Sequence, residues 1–119
     1  MSQAQVRLNV RQRGPSVGII DVQGDLTAFA EDALMDAYNE VTTDGARNII
    51  LNFEGLEYMN SSGIGLLVTL LIRINRQKQK LLTYGLSEHY VHIFELTRLN
   101  EAIGIYDSES EALAATATA

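Results

Sequence analysis

The chain contains no cysteine, which excludes disulfides, thiol nucleophiles and thiolate-bound metal. It also lacks a long apolar run. The longest, residues 64 to 72, is interrupted by Thr69 and falls far short of the about 20 residues that cross a bilayer. The first eleven residues hold no apolar stretch of the kind that marks a secretory leader. Bases are scarce: 9 Lys and Arg stand against 15 Asp and Glu, for a net charge of -6. A general nucleic-acid binder needs a basic footprint that is missing here. An acidic domain stays soluble and favours a partner with a positive patch. We therefore expect a soluble cytoplasmic protein with neither nucleic acid nor membrane as its partner. The 119 residues, 46% apolar and 20% charged, suit one domain over 1–119 with a substantial core. The Ala/Thr-rich end is expected to be flexible from about residue 115.

Periodicity orders the chain. Val6, Leu8 and Val10 alternate with polar residues, as in a half-buried strand. Gly14-Pro15-Ser16 is a turn, and residues 17 to 22 read as a second strand, forming a hairpin with the first. Residues 24 to 27 (G-D-L-T) are expected to break it. From 29 to 41 the period becomes helical, with Ala30, Ala33, Leu34, Ala37, Tyr38 and Val41 on one face. Thr27 is a candidate cap, and Asp44-Gly45 ends the helix. Residues 48 to 53 (N-I-I-L-N-F) read as a central strand covered on both faces. A helix follows over about 62 to 77, then a strand at 81 to 84. Ser87 caps a helix to about 96, with Val91, Phe94 and Tyr90 turned inward. A short strand at 103 to 106 precedes a helix over 109 to 115, where Ser108 and Glu111 have capping-box spacing. Alternating strands and helices predict an α/β fold with a mostly parallel sheet and an antiparallel opening hairpin.

Chemistry gathers at residues 58 to 65, Y-M-N-S-S-G-I-G. A strand-to-helix turn lies at the carboxyl edge of the sheet, where sites in open α/β folds collect. The helix N-terminus adds unpaired N–H groups and partial positive charge. Ser61 or Ser62 could simply be the N-cap, worth about 1 kcal/mol, and on sequence physics alone that is the commoner role. The glycines could simply permit close packing. A hydrolase nucleophile would want a G-x-S-x-G elbow, and Asn60 stands where its first glycine belongs. A phosphate loop would want a lysine that is absent here. A third role is phosphoacceptor, since a phosphate would place charge on a surface helix terminus that tolerates it.

The succession N-I-I-L-N-F, E-G-L-E-Y-M-N-S-S-G-I-G-L-L resembles the STAS domain of bacterial anti-sigma-factor antagonists, whose pattern is an apolar strand, a turn, D-S-S-G-[LI]-G and an apolar helix. G-D-L-T at 24 to 27, residues 90 to 99 and residues 103 to 113 resemble further parts of that family, so the likeness spans nearly the whole chain. It implies a single STAS-like α/β domain: a mixed, mostly parallel sheet of four to five strands, with about four helices mainly on one side. It also implies that a serine kinase, itself the anti-sigma factor, binds the unmodified protein and phosphorylates Ser62, ending the binding, and that a phosphatase restores it. On this resemblance Asp25, Thr27, Asn60, Ser61 and Gly63 shape the site, while Ile64 and Val68 belong to the docking helix. No intrinsic catalysis and no cofactor are implied. Three positions depart from the pattern: Asn60 and Thr27 stand where the family has acids, and Arg98 where it has glycine.

Other readings remain open. A constitutive scaffolding module would use Ser62 only as a cap, and a weak homodimer is a further partner. The face of the 62–77 helix bearing Ile64, Val68 and Ile72 is expected to be mostly covered by neighbouring elements, with an exposed docking strip as the sharper reading. Glu88, His92 and Glu95 share a helical face with metal-ligand spacing, but a solvated face is the expected role.

Overall fold

Adjacent residues of a strand point to opposite faces of its sheet. Ile19 and Ile20, Ile49 and Ile50, and Leu81 and Leu82 are three such pairs, and all six are buried. Within each pair one residue joins the larger apolar cluster and the other a smaller, separate one. Both faces of the sheet are therefore covered where these strands run, which explains their unbroken apolar sequence.

The computed structural model describes residues 6–117. Strands β1 (Val6–Arg13) and β2 (Val17–Leu26) form the hairpin. A 3-10 turn (Ala28–Ala30) leads into α1 (Glu31–Thr43). Then come β3 (Asn48–Met59), α2 (Ser61–Arg76), β4 (Lys80–Tyr84), α3 (Glu88–Leu96), a 3-10 turn (Leu99–Glu101), β5 (Gly104–Tyr106) and α4 (Glu109–Thr116). The sheet order is β1-β2-β3-β4-β5; β1 is antiparallel to β2 and the rest are parallel. Helices α1, α2 and α3 close over the larger cluster, and among the described residues α4 is the helix that covers the other face, through Ala112, Leu113 and Ala115. The expected mixed sheet, with helices mainly on one side, is thus observed. Residues 115 and 116, placed in the expected flexible end, are helical in α4; 118 and 119 lie outside the described residues.

Several local expectations need correction. Gly24 to Thr27 does not break β2 at its start, because the strand runs through Asp25 to Leu26. Correspondingly, β3 continues past Phe53 to Met59, pairing Gln23 with Gly55 and Leu26 with Met59. The register slips twice on the way, each time with one extra residue on β3. At the first slip the Asn52 side chain accepts the Glu54 N–H at 2.9 Å. In α1, Ala33 is exposed and Met35 takes the inward place. Phe29 lies in the 3-10 turn, 69% exposed. Arg98 sits at φ 63, the left-handed region that favours glycine.

A polar cluster that the sequence gives no hint of joins α4 to the sheet. Arg11 on β1 donates from Nε and Nη2 to both oxygens of Asp21 on β2, each at 2.8 Å. Its Nη2 also reaches Glu109 of α4 at 3.0 Å, and Arg13 bridges to the same carboxylate at 3.0 Å. Tyr84 Oη donates to Glu109 at 2.9 Å, and Asn52 Nδ2 donates to Asp21 at 2.8 Å. Four strands and one helix meet here, across as many as 98 positions of sequence. Burial raises the Asp21 pKa, but the Arg11, Asn52 and Asn9 hydrogen bonds outweigh it and hold the carboxyl below its ordinary value. The Arg11 hydrogen bond lowers Glu109 likewise. Burial, and then Glu109, push the Tyr84 phenol up to about 12.

Two expectations follow for unfolding experiments. The depressed carboxyls stabilise the fold fully above their unfolded pKa of about 4, and that stability disappears as pH falls through their lower folded values. The raised phenol acts in the opposite sense: its contribution is complete below about 10 and is lost as pH rises through about 12. Thermal midpoints measured against pH should therefore fall at both ends, and the acid limb should flatten in Asp21→Asn. Arg98→Gly should raise stability by about 1 kcal/mol in urea unfolding, because glycine adopts positive φ without the Cβ penalty. An unchanged or lowered midpoint would contradict this.

Candidate functional site

The paired ends of β2 and β3 form the floor of the site. Asp25 lies beside Tyr58 and Leu26 beside Met59, and β3 passes through Asn60 directly into α2. Two contacts fix where that helix starts. The first is the N-cap, and it is Asn60 rather than either serine: its Oδ1 accepts the N–H of Gly63 at 3.0 Å, while its carbonyl accepts that of Ile64 at 3.0 Å. The second is Gly63, which is buried. A Cβ there would collide with the Leu26 carbonyl oxygen and come within 2.9 Å of Met59 Cγ. Close packing is thus the role of this glycine. At Gly65 a Cβ would meet nothing within 4 Å.

With the cap supplied by Asn60, Ser61 and Ser62 become the first two residues of the helix. Both are exposed, and neither hydroxyl bonds to another described residue. No acidic residue lies in this first turn. At about 100° per residue, Ser61, Gly65, Val68 and Ile72 fall in line along the outer face. Val68 is 39% and Ile72 47% exposed, so neighbouring elements do not cover this strip, contrary to the expected covering. Ile64 is half-buried on its flank. Ser62 lies a quarter turn away, on the side that carries Thr69 and Arg73. The Arg73 carbonyl accepts from Tyr38 of α1 at 3.5 Å.

Thr27 is buried, and its Oγ1 accepts the Phe29 N–H at 3.3 Å. It therefore shapes the 3-10 turn and sets the exposed Phe29 beside α2, which that turn touches. Phe29 and Tyr58 are both half exposed or more, and the sequence carries little sign that either belongs to this surface. A lone phenylalanine between small residues in A-F-A is the only signal for the first; alternation along the far half of β3 would have indicated the second. Tyr90 of α3 accepts the Met59 N–H at 2.8 Å and so anchors the end of β3. Glu88, His92 and Glu95 do not assemble into a ligand set: His92 and Glu95 stand 3.8 Å apart on the surface, and no group of three or more candidate ligands occurs among the described residues.

A strand-to-helix junction of this form, on a five-strand mixed sheet, defines a STAS domain. The chain matches that family over residues 8–112 and belongs to it. More finely, it is 30% identical over 86 residues to the anti-sigma-B factor antagonist of Staphylococcus aureus (strain NCTC 8325 / PS 47), an alignment covering 72% of this chain and 80% of that one. Anti-sigma factor antagonists are non-enzymatic regulatory proteins. Among solved structures, an anti-sigma factor antagonist from Mycobacterium paratuberculosis superposes with a TM-score of 0.80 at 18% identity, covering 93% of each chain. Unphosphorylated SpoIIAA superposes at 0.75 with 19% identity, covering 95% of this chain and all of that one. The phosphorylated form of this Bacillus protein superposes at 0.72 with 20% identity, over 92% and 99%. At such identities the superpositions bear on the fold alone.

The two glycines should respond oppositely. Gly63→Ala should cost about 3 kcal/mol or prevent folding, as expected for overpacking against backbone. Gly65→Ala should stabilise by up to about 1 kcal/mol from helix propensity. Urea unfolding of both variants checks the pair, and equal effects would contradict the geometry.

Proposed function

We propose that this protein is an anti-sigma-factor antagonist that binds a serine kinase acting as the anti-sigma factor, and that phosphorylation of Ser62 ends the binding. The observation that carries the reading is the state of Ser62: an exposed hydroxyl without a partner among the described residues, in the first turn of a helix whose outer face is apolar and exposed. A kinase can reach it. A phosphate there adds about -1.5 to -2 charges where the helix end is positive and no carboxylate of the first turn opposes it. The protein tolerates the modification. A partner seated on Val68, Ile72 and Phe29 must then desolvate that charge at its rim, and binding fails.

Asn60 fits this account. A neutral amide caps Gly63 as a carboxylate would, while sparing the phosphate a negative neighbour. Asp25, Ser61 and Ile64 border the same surface, and Gly63 and Thr27 hold its shape from below. A phosphatase that removes the phosphate returns the protein to its binding state.

The test pairs variants with the cognate kinase. Ser62→Ala should bind as the unmodified protein does, and Ser62→Asp should weaken binding at least about tenfold, measured by calorimetry. Val68→Glu should weaken binding comparably while shifting stability by less than about 0.5 kcal/mol. Mass spectrometry after incubation with kinase and ATP should place phosphate on Ser62. Phosphate on Ser61 alone, or unchanged binding by Ser62→Asp, overturns the reading; the latter result is what a constitutive scaffold gives.

A further inference from the structure

Strand β1 is an edge of the sheet. It pairs with β2 alone among the described residues, so alternate N–H and C=O groups along its outer side are unpaired within the domain. Beside this edge, a groove of about 410 Å³ opens between β1 and α1; Leu8, Val10, Ala33 and Ala37 give it an apolar strip, and Asn9, Asp36 and Glu40 complete its lining. The exposure of Ala33, unexplained by the core, has its reason here: a larger residue would fill the groove.

The two faces of β1 differ in character. Val6, Leu8 and Val10 turn toward α1 and pack against the larger cluster. Arg7 and Arg13, together with Arg11, occupy the other face. Arg11 is committed to Asp21 and Glu109. Arg13 bridges to Glu109 with its side chain half exposed. Arg7 is exposed and forms no ion pair with any described residue. A basic comb on a free edge is unusual in a chain of net charge -6.

We propose that the β1 edge is a second docking surface, taking an extended segment of a partner protein whose residues alternate between acidic and aliphatic. The segment adds a sixth strand. Its main chain completes the ladder of β1, its aliphatic side chains enter the groove beside Ala33 and Ala37, and its acids face Arg7 and Arg13. A second copy of this chain fits poorly. Antiparallel self-pairing sets the odd-numbered face against itself, with Arg7 opposite Arg11 or Arg13. Helix α1 lies between this edge and the outer face of α2, so the surface is separate from the one around Ser62.

The experiment uses the full chain and a short, end-capped, fluorescent peptide in which glutamate alternates with valine, and a second peptide with lysine in place of glutamate. Anisotropy should detect binding of the glutamate peptide only. Hydrogen exchange should slow in β1 and nowhere on α2. Arg7→Glu, which disturbs no ion pair, should weaken binding by roughly tenfold through reversal of a cross-strand charge pair. Equal binding of both peptides, or protection that falls on α2, overturns the proposal. So does no binding at millimolar peptide, or sedimentation showing that the free protein dimerises through β1.

Discussion

The first turn of α2 can lie on the end of β2 because residue 63 has no side chain. The Leu26 carbonyl oxygen occupies the space that a Cβ would need, and Asn60 completes the junction by taking the Gly63 N–H. The backbone of this one residue is therefore held from both sides. Its immediate predecessors, Ser61 and Ser62, are left exposed, their hydroxyls without a partner among the described residues. The rest of the site inherits its geometry from that contact. The outer strip of α2 points away from the sheet because Leu66, Leu67, Leu70 and Ile74 follow Gly63 onto the sheet side. Thr27, one residue beyond the crowded carbonyl, turns the chain so that Phe29 stands beside the helix.

Rigidity below and freedom above suit a surface whose chemistry changes while its fold does not. The first turn carries no acid, so added negative charge meets a favourable helix end and no repulsion within the turn. The consequence of a phosphate is then felt by whatever docks there. The Arg11–Asp21–Glu109 cluster serves a different purpose on the far side of the sheet. It ties β1 and β2 to α4, a short helix whose apolar contact is limited to Ala112, Leu113 and Ala115, and so supplements a small apolar contact with charge-assisted hydrogen bonds.

Much of this was legible in the sequence. Apolar patterns, together with turn and cap residues, located the five strands and four α-helices, because burial on one or two faces dictates which positions are apolar. The junction stood out because two hydroxyls precede an apolar helix. What the sequence could not disclose depended on contacts between distant residues. The continuation of β3 to Met59 requires β2 as its partner through two bulges. The choice of Asn60 over the serines as cap depends on where the helix is seated, which Leu26 decides. Ala33 and Met35 flank the buried stripe of α1 on opposite sides, and tertiary packing decides between them: Met35 joins the core while Ala33 faces the groove beside β1. The Arg11 cluster links residues up to 98 positions apart and leaves no local trace.

The central claim is that charge at Ser62 alters docking without altering the fold. The most direct test phosphorylates one preparation at Ser62 and measures kinase affinity and thermal midpoint on the modified and unmodified halves. Loss of binding with an unchanged midpoint is the predicted result. Retained binding, or a loss of binding accompanied by a large fall in the midpoint, would contradict it.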